Sequence, residues 1–211
     1  MSELIKDKLT NKEEFVKILR ENVKRDGLED LINYLENDSS FFVEPASTQY
    51  HGSYDGGLVD HSINVYYCIL DELKFIYGKD WQKKYSLESA TIVSLLHDIC
   101  KIGRYVKGTR NVKNEAGVWQ TIDCYKYNDN YFTMGHASLS IHRIEKFMKL
   151  TDEEAQSIYW HMGAFDVSNY SSIRDLSEAY SRNTLAFALH RADMAATHLW
   201  ENEKFKPLDI E

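Results

Sequence analysis

The sequence predicts an all-α fold, a helical bundle interrupted by one small β-hairpin. Three observations lead there. Proline is scarce, with only Pro45 and Pro207 in 211 residues. Glycine-rich turns are few, and long stretches carry apolar residues at helical period. One segment, between Gly103 and Gly135, loses that period and alternates instead.

Thr10 is read as the N-cap of a first helix through about Arg25, with Glu13 completing a capping box. Gly27 breaks it, and a second helix carries Leu28, Leu31, Ile32 and Leu35. Asp38 to Gly57 is irregular, holding Pro45, Gly52 and Gly56-Gly57. Leu58 to Tyr77 forms a long helix, striped by Val59, Ile63, Tyr66, Leu70, Leu73 and Tyr77. Ser86 opens the helix that contains His97-Asp98. Tyr105-Val106-Lys107, Val112 and Val118 to Ile122, around Asn114 to Gly117, make a hairpin. Helices resume over His136 to Lys149, from Thr151 to near Gly163, and over about Arg182 to Trp200.

The length fits one domain with a core that needs no staples. Its expected layout is N-terminal helices over residues 1–50, the main domain over 51–200 with the hairpin at about 104–134 inserted in it, and a tail over 201–211. A net charge of −8 argues against a broad nucleic-acid or anionic-membrane surface. Cys68, Cys100 and Cys124 lack a CxxC spacing and read as reduced thiols. No apolar run approaches the roughly 20 residues of a membrane span, and Met1 to Lys6 has no signal-peptide core. A soluble, cytoplasmic protein is expected.

The informative residues are polar groups on buried helices. His97-Asp98 ends the apolar run Ala90 to Leu96, where an ionised carboxylate costs several kcal/mol, roughly, unless a cation or donors receive it. Two readings stand: a structural pair, with Asp98 on Lys101 and His97 on a carbonyl, or ligands for a divalent metal. His61 lies opposite the main stripe of its helix, in a row with Leu58 and Val65. It is either a satisfied core histidine or a ligand. Asp193, among Ala192, Ala195 and Ala196, cannot easily face Arg191 or His190 on its own helix and calls for a partner from another. His136 opens a helix and His161 closes one. His51, His142, His190 and His198 compete for the same roles; His142 and His198 look like surface or packing residues.

In order, His61, His97-Asp98, His136, His161 and Asp193 match a pattern. The contexts Gly56-Gly57-Leu58-Val59-Asp60-His61-Ser62, Leu95 to Lys101, Gly135-His136 and Ala192-Asp193 agree with it. The chain here resembles the HD-domain metal-dependent phosphohydrolases of the dinuclear branch, over roughly residues 50 to 200. One departure is Cys100, where many members have glycine; Lys101 still holds the lysine position. The resemblance implies an HD-type bundle and one or two divalent ions, of Mn, Fe, Zn, Mg, Co or Ni. One metal would be held by His61, His97, Asp98 and Asp193, and a second by His136 and His161, with Asp98 bridging. Four neutral imidazoles and two carboxylates offset only half the charge of two such ions, leaving about +2 to attract phosphate and acidify water.

Lys101 is placed to contact a phosphate oxygen or the leaving group, and Arg104 to guide further phosphates. Lys107 and Arg110 read as a solvated basic loop. Asp60, Asp123 and Asp166 are candidates for supporting or proton-transfer roles. The local contexts are similar to the HD domains of bacterial 3′-5′ exoribonucleases, yet length and charge favour a small phosphorylated substrate, a nucleotide, over a polymer; short RNA stays open. Tyr105, Trp119, Tyr125, Tyr127 and Tyr131 could stack on a base, though packing within the hairpin is the expected use. Two other classes carry the same ligand set: a di-iron oxygenase and a non-catalytic nucleotide sensor.

Overall fold

The computed structural model describes residues 8–166 and 170–202. Helices α1 (Lys8–Asn22), α2 (Leu28–Asn37), α3 (Gly57–Tyr77) and α4 (Leu87–Leu96) precede a two-stranded hairpin, β1 (Tyr105–Lys113) and β2 (Trp119–Tyr127). Helices α5 (His136–Glu145), α6 (Asp152–Trp160), α7 (Tyr170–Arg182) and α8 (Thr184–Ala195) follow, and α8 runs into a π-turn, Ala196–Trp200. The chain is mostly helical, as expected. Among the described residues no helix is long and apolar enough to cross a membrane.

One apolar core runs through the N-terminal helices and the rest of the bundle. Phe15 and Leu19 of α1, Leu31 and Leu35 of α2, Leu58, Ile69 and Leu73 of α3, and Ile92 and Leu95 of α4 are all buried in it. Each such side chain removed from water contributes roughly 1.5–3 kcal/mol. Every residue from Ala90 to Leu96 is buried, which is why α4 shows no polar face. On α3, Leu58, His61 and Val65 are buried as well as Val59, Ile63, Tyr66 and Leu73 of the main stripe, so this helix packs on two sides.

Several boundaries differ from expectation. The first helix begins at Lys8, so Thr10 lies inside it rather than capping it; lysine and leucine are good helix formers, and the winding continues back past the threonine. α4 stops at Leu96, and His97-Asp98 form the turn after it: Asp98 leaves helical geometry at φ −107°, ψ 13°. α5 ends at Glu145, four residues early, where Phe147 and Met148 both fold back to the Ile144 carbonyl. That turn buries Met148 and stacks Phe147 on Tyr34 at 5.1 Å. α7 was not expected at all. Among its described side chains Leu176 and Ala179 are buried, on a stripe with Ile173 and Tyr180 whose helical period was legible in the sequence. Asn183, accepting from Leu185 N at 3.1 Å, caps α8 just beyond Arg182.

Other signals hold. Ser86 accepts from Ser89 N at 2.9 Å, and Thr151 with Glu154 makes a full capping box. The hairpin pairs Tyr105 with Tyr127 and Lys113 with Trp119, around a turn in which Asn114 Oδ1 accepts from Val118 N. Tyr105 and Tyr127 pack on each other with ring centres 5.5 Å apart, while Trp119 is exposed beside Lys113. Asn128 ties the base by donating to the carbonyls of Arg104 and Gly103.

The loop before α3 is seated by a close backbone approach. A Cβ on Gly57 would lie 2.0 Å from the Gly52 oxygen, which is itself bonded to Ala46 N. Ser47 Oγ donates to the His51 carbonyl from the same loop. Gly57→Ala is expected to push this loop away from α3, at about 1–3 kcal/mol by overpacking. Thermal unfolding checks it: at roughly 2–4 °C per kcal/mol for a chain of this size, the midpoint falls by several degrees. An unchanged midpoint would refute the tight seat.

Candidate metal centre

The six residues singled out in the sequence converge on one point, and Asp98 is at the middle of it. The carboxylate is buried on the turn after α4, and its two oxygens face different histidines. Oδ2 lies 3.5 Å from His97 Nε2 and 3.7 Å from His61 Nε2. Oδ1 lies 2.8 Å from His136 Nε2 and 3.8 Å from His161 Nε2. Asp193, on α8, reaches His61 Nε2 at 3.2 Å with Oδ1, the inter-helix partner that its position demands. Arg191 and His190 turn elsewhere, to Glu72 and to the His161 carbonyl.

The contacts of the structural-pair reading of His97-Asp98 are present. Lys101 Nζ sits 2.6 Å from Asp98 Oδ2, and His97 Nδ1 donates to the Ser94 carbonyl at 2.8 Å. Those contacts use only one side of each group. His97 Nε2, His61 Nε2 and Asp98 Oδ1 are buried with no aligned hydrogen-bond partner. Short distances without hydrogen-bond alignment are what results when side chains aim at a shared point rather than at one another.

The other ring nitrogen of each histidine is engaged. His161 Nδ1 donates to the Ile158 carbonyl at 2.6 Å, and His61 Nδ1 meets the Glu201 carboxylate at 3.0 Å. His136 Nδ1 lies 3.3 Å from Cys100 Sγ and 3.3 Å from Arg104 Nη1. For His61, His97 and His161 the Nδ1 partner can only accept, so the proton stays there and Nε2 is the atom left to ligate. Nitrogen and oxygen donors of this kind suit Zn, Fe, Mn, Co or Ni. Four overlapping groups fulfil a metal-ligand spacing, with donor atoms within 4.8 Å: His61-His97-Asp193, His97-Asp98-His161, Asp98-Cys100-His136 and His51-His61-Glu201. The residues present fit such an ion.

The electrostatics follow from the crowding of these groups. Burial opposes charge on His61 and His136, yet Glu201 and Asp193 around the first, and Cys100 and Asp98 around the second, raise both to about 10. His161, buried among His97 and His136, is pushed down to about 3. Burial would raise the Asp98 carboxyl, but Lys101, His97 and His136 hold it well below the usual carboxylate range. Asp193 is likewise lowered, against its burial, by His61 first.

The scaffold fixes this turn from several sides. Arg143 of α5 donates to the carbonyls of Ile99, Cys100 and Ile102, Ser140 accepts from Cys100 N, and Tyr131 OH donates to the Cys100 carbonyl. A Cβ on Gly163, at φ +56°, would strike the His190 ring, so glycine lets His190 bond the His161 carbonyl. Arg104 stands at the edge of the site, its guanidinium over the rings of Tyr127 and Tyr131.

Other candidates lie apart. Asp60 accepts from Asn11 and Tyr54, and Asp123 and Asp166 are exposed. Lys107 pairs with Asp55 and Arg110 with Gln49, both in solvent. His142 and His198 are exposed. Three residues were undervalued in the sequence. The His51 ring lies tilted against that of His61, centres 4.8 Å apart, with its Nε2 buried and without a hydrogen bond, Cys100 meets His136, and Glu201 meets His61. Cys100 had a signal, its departure from glycine. Glu201, assigned to the tail, had none.

A cluster of histidine and aspartate able to hold divalent ions is thus the class of site present. No family model matches the chain, and no solved structure matches it. It is similar to the dihydroneopterin 2′,3′-cyclic phosphate phosphodiesterase of Methanocaldococcus jannaschii, 31% identical over 143 residues, 61% of this chain and 51% of the relative. The chain therefore spans about half the length of the curated relative that it matches.

Proposed function

We propose that this protein is an HD-type, metal-dependent phosphohydrolase that cleaves a phosphoester bond of a small nucleotide-like substrate. The domain responsible would be residues 51–200, with the hairpin as an insertion. The observation that carries this reading is the division of Asp98: each carboxylate oxygen faces a pair of imidazole Nε2 atoms whose Nδ1 atoms are engaged elsewhere. A phosphodiesterase among its relatives supports the choice of phosphoester hydrolysis.

His61, His97, Asp98 and Asp193 would hold one ion, His136 and His161 the other, with Asp98 shared. Ions bound there supply a Lewis acid for a phosphoryl oxygen and lower the pKa of a bound water. The chain's own part is orientation and charge. Lys101, buried and held protonated by Asp98 against its burial, keeps a cation beside the carboxylate, where it would meet a phosphoryl or leaving-group oxygen. Arg104 would bind a phosphate at the rim, its planar fork already oriented by two tyrosine rings.

Phosphodiester, phosphomonoester and cyclic-phosphate nucleotides, assayed with Mn²⁺, Fe²⁺, Co²⁺, Ni²⁺, Zn²⁺ and Mg²⁺, test the activity. Turnover of at least one is expected, and none across the set would overturn it. A finer test is His136→Ala and His161→Ala, each expected to bind one metal fewer than the wild type by elemental analysis of the folded protein. Unchanged stoichiometry in both would reduce the site to a single ion.

A further inference from the structure

Glu201 lies eight residues beyond Asp193, past the end of α8, yet both reach the same imidazole. Its Oε1 is 3.0 Å and its Oε2 3.3 Å from His61 Nδ1, while Asp193 meets Nε2 on the ring's other side. Asn64 Nδ2, one turn along α3 from His61, donates to Oε1 at 3.0 Å and fixes the carboxylate. The side chain is 9% exposed.

The π-turn makes this possible. In a regular α-helix, eight residues leave two side chains about 80° apart around the axis. Over Ala196–Trp200 the chain winds more widely, closing with Glu201 N on the Ala196 carbonyl, five residues back. The smaller rotation per residue in this wider turn returns Glu201 to the face of Asp193.

We infer that Glu201 is a positioning residue for the metal centre: it accepts a hydrogen bond from His61 Nδ1 and so fixes the ring with Nε2 turned to the ion. The inference rests on the metal-binding reading above. Glu201 acts through His61 rather than as a ligand beside it, since the two meet through Nδ1 while Nε2 faces Asp98 and Asp193. An anionic acceptor also makes the imidazole a stronger donor than the carbonyls behind His97 and His161 do. His61 depends on this contact, having no carbonyl of its own helix at Nδ1.

The test titrates Co²⁺ into the full chain, wild type against Glu201→Ala and Glu201→Gln, by calorimetry and by the visible absorption of bound cobalt. Glu201→Ala is expected to weaken one of the sites 10- to 100-fold and to change its absorption. Glu201→Gln, whose amide oxygen still accepts from Nδ1, is expected to recover part of the affinity. The site of His136 and His161 keeps its own. Affinities within twofold of wild type and unchanged spectra in both variants would overturn the role of Glu201 while leaving the metal reading intact. Equal weakening of every site with loss of helical circular dichroism, in both variants, would show a structural role and overturn it too. A wild-type protein that binds no Co²⁺ would remove the metal reading, and this inference with it.

Discussion

Asp98→Asn is expected to abolish metal binding and to lower hydrolysis at least a thousandfold, about 4 kcal/mol of transition-state stabilisation. The amide keeps the volume but loses the charge that faces four imidazoles and Lys101. The same change strands the Lys101 ammonium in a buried position, at a cost of about 3–5 kcal/mol in the metal-free protein. The double variant Asp98→Asn, Lys101→Met separates these effects. It removes both charges, and is expected to regain stability while staying free of metal and inactive. Metal content by elemental analysis, with circular dichroism for folding, decides the matter. Retained metal in a folded Asp98→Asn protein would sink the shared-carboxylate arrangement.

Arg25→Ala is expected to have the largest effect on stability away from the site. Arg25 follows α1, and its guanidinium holds Glu154 of α6 through two hydrogen bonds, at 2.6 and 3.0 Å, while reaching Glu88 of α4 and the Lys149 carbonyl. The Glu154 side chain is wholly buried, so truncating Arg25 leaves an unpaired carboxylate at about 3–5 kcal/mol. The unfolding midpoint at neutral pH should fall by on the order of 10 °C, with metal stoichiometry unchanged. Burial would raise the Glu154 pKa, but Arg25 and the Thr151 amide lower it below its ordinary value. A carboxyl lowered on folding stabilises above its unfolded pKa, about 4.3, and loses that contribution as pH falls through the lower folded value. The gap between wild type and variant should therefore narrow in acid. A midpoint within 2 °C of wild type at pH 7 would refute the clamp.

Local chemistry explains which parts of the fold could be read from the sequence. The run Ala90 to Leu96, the Thr151 capping box and the alternation around Asn114 to Gly117 each carry their signal within a few residues. α7 carries a weaker mark: its stripe of Ile173, Leu176, Ala179 and Tyr180 is interrupted by polar residues, and Ile173 stays exposed. The site divides in the same way. His97-Asp98 and Asp193 stood out because charge amid apolar residues is costly wherever it falls, and the ordered set of six followed by resemblance. Glu201 carried no such mark, since a glutamate after a helix is ordinary. Only the wider winding of the π-turn, invisible in the residue types of Ala196 to Trp200, brings it to His61.

The Nδ1 contacts fall into two kinds, local and tertiary. His97 and His161 each lean on the carbonyl three residues back, Ser94 and Ile158, so their rings are set by a single turn of their own chain. His61 and His136 depend on Glu201, Cys100 and Arg104, which arrive only when distant segments close. Each oxygen of Asp98 faces one ring of each kind. If the tertiary contacts loosened, each side of Asp98 would keep one imidazole set by its own turn and lose the other.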